Sequence, residues 1–224
     1  MQNPNLELAR HNMVVQQVRP CDVIDDHVLD LMASVPRDAF VCEPCQNLAY
    51  FDTQIPLGNY DGDCPVMMTP IIEGKMLQAL NVQPTETVLE IGTGSGYITA
   101  LLAKSARHVH SIEIIPALSN SAKEKLSSQG IMNATLEIGD AAHGWPEHSP
   151  YDVIAVTGSL PVLEEQFQHC LNVGGRLFVI TGEDHAMEAL LITRVAENEW
   201  TYESLFETEI PALLNATRPQ HFAF

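Results

Sequence analysis

The sequence predicts an α/β protein: a Rossmann-like, doubly wound, mostly parallel sheet with helices on both faces. Three observations lead there. From Thr87 to Thr181, short apolar runs alternate with amphipathic helical stretches, the pattern of strands buried on both faces and joined by crossover helices. Within that region, Thr87-Val88-Leu89-Glu90-Ile91-Gly92-Thr93-Gly94-Ser95-Gly96-Tyr97 runs from an apolar strand through three alternating glycines into a helix. Beyond it, two strand-like runs, Glu188 to Val195 and Trp200 to Phe206, flank the polar turn Ala196-Glu197-Asn198-Glu199. They predict an antiparallel hairpin at the C-terminal edge of the sheet.

The N-terminal segment reads as helical. Its first stretch, about Leu6 to Val18, presents Leu6, Met13, Val14 and Val18; its second starts at the capping residue Asp25, carries Val28, Leu29, Leu31 and Met32, and stops before Pro36. A polar, proline-bearing turn from Asn81 to Glu86 marks the organisational break. Residues 1–80 then form a helical segment with a substrate-side loop, and residues 81–224 the cofactor core. In the core, helices are expected at Tyr97 to Ala106, Ala117 to Gln129 and Val162 to Leu171. Strands are expected at His108 to Ile114, Ala134 to Gly139, Asp152 to Gly158 and Arg176 to Thr181.

The glycine spacing selects the ligand. Glycines at a strand-to-helix turn allow positive φ and let the backbone approach a ligand with no Cβ in the way. A dinucleotide fingerprint reads G-x-G-x-x-G, whereas Gly92, Gly94 and Gly96 give G-x-G-x-G, with Tyr97 where the last glycine would stand. A P-loop is excluded because no Gly-Lys-Ser/Thr follows. Glu90 ahead of the glycines suits a cationic ligand, and S-adenosylmethionine carries a sulfonium and an ammonium.

In open sheets of this kind, ligands sit at the carboxyl ends of the strands near the topological switch point. Glu113 closes the second core strand about twenty residues beyond the glycines, where a carboxylate accepts from both ribose hydroxyls. Asp140, in Gly139-Asp140-Ala141, closes the third and is placed to accept from an adenine amino group. Thr157-Gly158-Ser159 ends the fourth beside the expected sulfonium.

Composition sets outer bounds. The net charge of −18, from 29 acidic against 11 basic side chains, argues against a nucleic-acid partner, whose phosphates need clustered Lys and Arg. The first residues have neither the basic nor the apolar region of a signal peptide, and no apolar run is long enough to span a bilayer, so a cytoplasmic location is expected. Five cysteines fit free thiols in a reducing compartment. Cys42-Glu43-Pro44-Cys45 stands alone as a C-x-x-C and the nine histidines are scattered, so no metal site is expected.

At this point the chain resembles the protein-L-isoaspartate O-methyltransferases, which methylate the abnormal carboxylate of isoaspartyl residues. The matching phrases include Met13 to Arg19, Asp25 to Met32, Val35-Pro36-Arg37-Asp38-Ala39-Phe40-Val41, Ala49-Tyr50-Phe51-Asp52 and Ile55-Pro56-Leu57-Gly58. They continue through Val88 to Tyr97, Ser111-Ile112-Glu113, Gly139-Asp140, Gly144-Trp145-Pro146, Tyr151 to Thr157 and Gly174-Gly175-Arg176-Leu177. The resemblance implies S-adenosylmethionine, with S-adenosylhomocysteine as product, against Gly92, Gly94, Gly96, Glu113 and Asp140; Glu90 and Thr93, in the same strand-to-helix turn, are expected beside it. It also implies a protein or peptide substrate carrying a carboxylate.

One departure bears on catalysis. After the Pro-Leu-Gly phrase the family carries Gly-Gln-Thr-Ile-Ser, whereas this chain reads Asn59-Tyr60-Asp61-Gly62-Asp63-Cys64-Pro65-Val66-Met67-Met68-Thr69-Pro70, which puts Met68 at the serine position. The tail from Glu207 differs as well. Three functions stay open: isoaspartyl repair on a diverged branch, methyl transfer to a small molecule or another protein group, and cofactor binding without catalysis. The chemistry needs no general base, because a carboxylate of pKa about 4 is already the nucleophile at pH 7. Thr69 and Thr157 are the residues expected to align it, with Ser159 and amides of the Gly58 to Pro65 loop in support.

Overall fold

The computed structural model describes residues 4–58, 64–183 and 185–219. Seven strands form the central sheet: β3 (Thr87–Ile91), β4 (His108–Glu113), β5 (Ala134–Ile138), β6 (Tyr151–Leu160), β7 (Leu171–Thr181), β8 (Glu188–Ala196) and β9 (Glu199–Glu207), in the order β5-β4-β3-β6-β7-β8-β9. The first five pair in parallel; β7–β8 and β8–β9 pair antiparallel. The mostly parallel sheet and its C-terminal hairpin are thus as the sequence predicts. The chain moves outward from β3 through β4 to β5, then returns to place β6 on the other side of β3. The switch point therefore lies at the carboxyl ends of β3 and β6.

Alternation along the central strands fills two cores. Val88, Val153, Ala155, Phe178 and Ile180 face one side with the N-terminal segment; Leu89, Ile154, Val156, Leu177 and Val179 face the other. The first face is covered by α3 (Pro70–Leu80), α4 (Tyr97–Ser105), part of α5 (Pro116–Ser128) and the N-terminal helices α1 (Pro4–Asn12) and α2 (Asp26–Ser34). The second face is covered more thinly, by the short α6 (Glu165–His169), the turn around Ala141 and Trp145, and the tail at Leu213.

Four expectations on element bounds need correction. The helix foreseen from Leu6 to Val18 is α-helical only to Asn12; Met13–Val18 form a wider π turn that brings Met13, Val14 and Val18 into the core. Helix α3 was not foreseen at all. Pro70 at its first position and a left-handed Asn81 after its end define it, and Gly74 lets it approach the N-terminal segment, since a Cβ there would lie 2.9 Å from Val18 Cγ1. The helix expected from Val162 to Leu171 shrinks to Glu165–His169, because β7 begins at Leu171, five residues before the expected start at Arg176. Strand β6 runs on to Leu160, because it resumes pairing with β7 at Ser159 and Leu160 after a register shift, and the tail adds a bridge at Ser159.

Strands β1 (Ile55–Pro56) and β2 (Val66–Met67) form a two-stranded antiparallel ladder. They bracket the loop whose residues 59–63 lie outside the described ones, so the backbone amides expected there to hold a carboxylate are not placed.

Candidate functional site

A cavity enclosing about 720 Å³, its open mouth included, lies over the carboxyl ends of β3, β4, β5 and β6. Its floor is the glycine turn. Gly92, Gly94 and Gly96 take φ of 92°, 52° and 85°, the left-handed region that side chains rarely adopt. A Cβ on Gly92 would stand 2.5 Å from Thr157 Oγ1, and one on Gly94 2.9 Å from Leu57 Cδ1. Gly96 lies one step behind the floor: a Cβ there would meet Ala122 of α5 at 3.0 Å, so its task is close packing under the helix.

Glu113 projects from the end of β4 into the cavity wall. Its Oε2 accepts from the Gly94 amide at 2.8 Å and its Oε1 from the Ile115 amide at 3.0 Å. A carboxylate has about four acceptor sites, so each oxygen keeps capacity for a ribose hydroxyl. Asp140 lines the same wall; its Oδ1 accepts from the Ala142 amide at 3.1 Å and its Oδ2 from Asn215 Nδ2 at 2.8 Å. Ile114, Ile115, Leu118, Gly139 and Ala141 line the same cavity. An apolar lining that carries two carboxylate acceptors has the chemistry a purine nucleoside needs.

Glu90 does not reach this cavity. Alternation on β3 turns it into the core on the α4 side, where its Oε2 accepts from Thr99 Oγ1 and Ser111 Oγ, each at 2.5 Å, while Oε1 has no partner. Burial pushes its carboxyl up to about 8, against the pull of those two hydroxyls. It supports the turn through Ser111, which also bonds Thr93 Oγ1 at 2.5 Å, and offers no charge to a cationic ligand.

A smaller cavity opens beside the first, between the turn residues Gly92 to Ser95 and the wall of Leu57, Val66, Met67 and Met68. Thr157 lines both cavities. Its Oγ1 donates to the Gly92 carbonyl at 2.6 Å and faces the Ile91 carbonyl at 3.0 Å, which latches β6 to the end of β3. Thr69 lines neither cavity; it occupies the N-cap of α3 without a side-chain capping bond. Ser159 is buried and donates to the Ile210 carbonyl at 3.0 Å, holding the tail rather than a ligand.

Two contributions went unforeseen in the sequence. Ser95 lines the smaller cavity, and its Oγ accepts from the Tyr97 amide at 3.2 Å, which leaves the hydroxyl hydrogen to donate. Its place inside the glycine motif was the available signal. The tail residues Ile210 to Leu214 form one side of the main cavity, held by Ser159 N to Pro211 O at 3.1 Å and Leu213 N to Ser159 O at 2.9 Å; nothing in their own composition marks them.

Behind the methionine wall lies a buried ion pair. Arg37 is fully buried and donates through Nε to Glu73 Oε2 at 3.0 Å, through Nη1 to Ala49 O at 2.7 Å and through Nη2 to Met68 O at 2.5 Å. Burial pushes the Glu73 carboxyl up while the guanidinium pulls it down. One side chain thus fixes the backbone of Met68 against α3.

Comparisons with known proteins identify the family. The family described as protein-L-isoaspartate(D-aspartate) O-methyltransferase matches residues 9–210. A protein-L-isoaspartate O-methyltransferase of Syntrophus aciditrophicus is 40% identical over 198 residues, 88% of this chain and 89% of its own. One of Rhodopseudomonas palustris is 37% identical over 205 residues, 91% and 92% of the two chains. In fold, the chain is similar to a solved Plasmodium falciparum structure described as a protein-L-isoaspartate O-methyltransferase in complex with S-adenosyl-L-homocysteine, with TM-score 0.75, 22% identity and coverage of 91% of this chain and 97% of that one. A further solved protein-L-isoaspartate O-methyltransferase superposes with TM-score 0.77 at 24% identity, over 91% of this chain and 65% of that one. By sequence, over nearly its whole length, the chain belongs to the protein-L-isoaspartate(D-aspartate) O-methyltransferase family.

Proposed function

We propose that the protein transfers the methyl group of S-adenosylmethionine to the free carboxylate of isoaspartyl residues in damaged proteins or peptides, and that it does so in the cytoplasm. The observation that carries this reading is Glu113 at the end of β4, beside the glycine turn and in one cavity with Asp140. Residues 81–224 would hold the cofactor and residues 1–80 would supply most of the acceptor side.

The fit assigns roles to the chain's own residues. Glu113 would bind the ribose hydroxyls, Asp140 the adenine amino group, and Gly92 and Gly94 would admit the chain that carries the sulfonium. When bound, the cofactor supplies an electrophilic methyl on a positively charged sulfur. The acceptor carboxylate enters already ionised, so the protein has to align it and exclude water. Ser95, facing the smaller cavity with its hydroxyl hydrogen uncommitted, is the residue best placed for that; Thr157, whose hydrogen goes to the Gly92 carbonyl, would shape the junction of the two cavities instead. Leu57, Met67 and Met68 would keep water out.

The acidic surface speaks for a protein or peptide acceptor over a nucleic acid, because no basic cluster would hold phosphates. Transfer of labelled methyl to an isoaspartyl peptide, beside its aspartyl control, tests the reading. Incorporation into the isoaspartyl peptide alone is expected; none into either, with cofactor binding intact, would favour a small-molecule acceptor or a non-catalytic role. Calorimetry with S-adenosylhomocysteine should show Glu113→Ala weakened by about tenfold or more, the loss of ~1.5 to 3 kcal/mol from charge-assisted contacts.

A further inference from the structure

The thinly covered face of the sheet gathers three histidines and a glutamate from three segments of the chain. On β4, His108 and His110 share a face with Ile112; in register beside them on β5 are Thr135 and Glu137. His148 arrives from the loop that follows Asp140, in the left-handed conformation at φ 65°, and stacks on His110 with ring centroids 4.5 Å apart. A non-glycine residue held in that conformation costs about 1–3 kcal/mol and persists where its surroundings determine it.

The donor atoms converge. His148 Nε2 lies 3.4 Å from Glu137 Oε1, His110 Nδ1 lies 3.8 Å from the same oxygen, and one donor atom from each of the three residues lies within 4.8 Å of the others. Two nitrogen or oxygen ligands about 2.0–2.2 Å from a tetrahedral ion stand roughly 3.4 Å apart, which the His148–Glu137 pair already meets; the half-exposed His148 ring has to turn out of its stack on His110 for both nitrogen lone pairs to point at one ion. Both His110 Nδ1 and Glu137 Oε1 are sealed from solvent without a hydrogen-bond partner. Buried polar atoms left unpaired cost free energy, which an ion between them would remove.

We propose that His110, Glu137 and His148 bind one divalent transition-metal ion of the zinc type. Two imidazoles and one carboxylate are borderline ligands that select zinc, cobalt or nickel over magnesium or calcium. The ion completes its shell with solvent, because His148 is half exposed. Its place in the fold gives it a structural task. Glu137 sits three residues before Asp140 on the edge strand, and His148 ends the turn that Asp140 begins, so one ion ties both ends of that turn to β4.

The test uses the full chain with Cys42 and Cys45 replaced by serine, stripped of metal by a chelator. Zinc alone is titrated by calorimetry, and cobalt alone is followed by its visible absorption. One equivalent of either metal is expected to bind, with tetrahedral or five-coordinate cobalt bands and an upward shift in melting temperature. His148→Ala removes an exposed loop residue without threat to folding and is expected to weaken zinc at least tenfold; His110→Ala and Glu137→Gln are expected to do the same. Absence of stoichiometric binding, binding left unweakened by any one of the three replacements, or a thiolate-to-cobalt charge-transfer band would each overturn the proposal.

Discussion

The two ends of the active-site cleft are held by different means. At the cofactor end, the carboxylates on the wall are held mainly by backbone amides of the adjoining turns: Glu113 by Gly94 and Ile115, Asp140 by Ala142, with Asn215 of the tail on its other oxygen. At the acceptor end, the wall of Met67 and Met68 is placed from behind, by a fully buried arginine that spans segments far apart in sequence. The first arrangement spreads its contacts over several partners. The second gathers Ala49, Met68 and Glu73 on one side chain, so a single change there should reach further.

Arg37→Met should therefore give the largest effect. It leaves Glu73 buried without its partner and leaves the Ala49 and Met68 carbonyls without their donor. Breaking a buried pair from one side typically costs ~3–5 kcal/mol, whereas removing both charges costs far less. In urea unfolding, Arg37→Met should lose about that much and Arg37→Met/Glu73→Leu should recover a large part. A double variant as unstable as the single one would mean that the carbonyl contacts, and not the charge, hold the acceptor end.

The cofactor end has its own buried charge in Glu90. With its carboxyl pushed up to about 8, the native state keeps a proton that the unfolded chain releases near pH 4.5. Stability must then fall as pH rises from about 4.5 to 8 and level off above it. At 1.36 kcal/mol per unit for one proton, the loss between pH 5 and 8 is on the order of 3–4 kcal/mol. Glu90→Gln should flatten the pH dependence of the unfolding free energy across that window. A slope unchanged by the substitution would show that Glu90 is ionised in the native state.

The same contrast explains what the sequence could disclose. The glycine turn, Glu113 and Asp140 were legible because a strand end and the turn after it are contiguous in the chain, and strand alternation fixes where they point. Glu90 was misplaced for the same reason: being next to the glycines suggested the ligand, yet on β3 it faces the opposite way from Leu89 and Ile91, toward Thr99 and Ser111. The acceptor end was hidden because its contacts are long-range. Gln54 Nε2 donates to Glu209 O at 2.7 Å across 155 residues, and the tail reaches the cavity only by pairing with Ser159 at the end of β6. Neither leaves a periodic trace.

Gly92→Ala probes the join between the two ends. Its Cβ would strike Thr157 Oγ1, the hydroxyl common to both cavities, and φ of 92° adds strain of about 1–3 kcal/mol. Affinity for S-adenosylhomocysteine should fall by roughly tenfold to a hundredfold. Combining it with Thr157→Ala removes the clash and leaves the strain, so partial recovery is expected in calorimetry. No recovery would place the whole cost in the backbone.

The smallest effects discriminate between hydroxyls at the acceptor end. Ser95 lines the smaller cavity with a hydroxyl hydrogen available, so Ser95→Ala should lower kcat on an isoaspartyl peptide by about tenfold while S-adenosylhomocysteine affinity stays within about twofold. Loss of one donor aimed at a reacting group costs up to ~10² or more where that group gathers charge; here the carboxylate loses charge on methylation, so less is at stake. Thr69 lines neither cavity and caps nothing with its side chain. Thr69→Ala should change kcat less than about threefold and stability by no more than ~0.5 kcal/mol, the usual range for a position without such contacts. Should Thr69→Ala abolish turnover while Ser95→Ala leaves it intact, the loop before α3 must fold inward when the acceptor binds, and the two ends of the cleft would be coupled rather than separate.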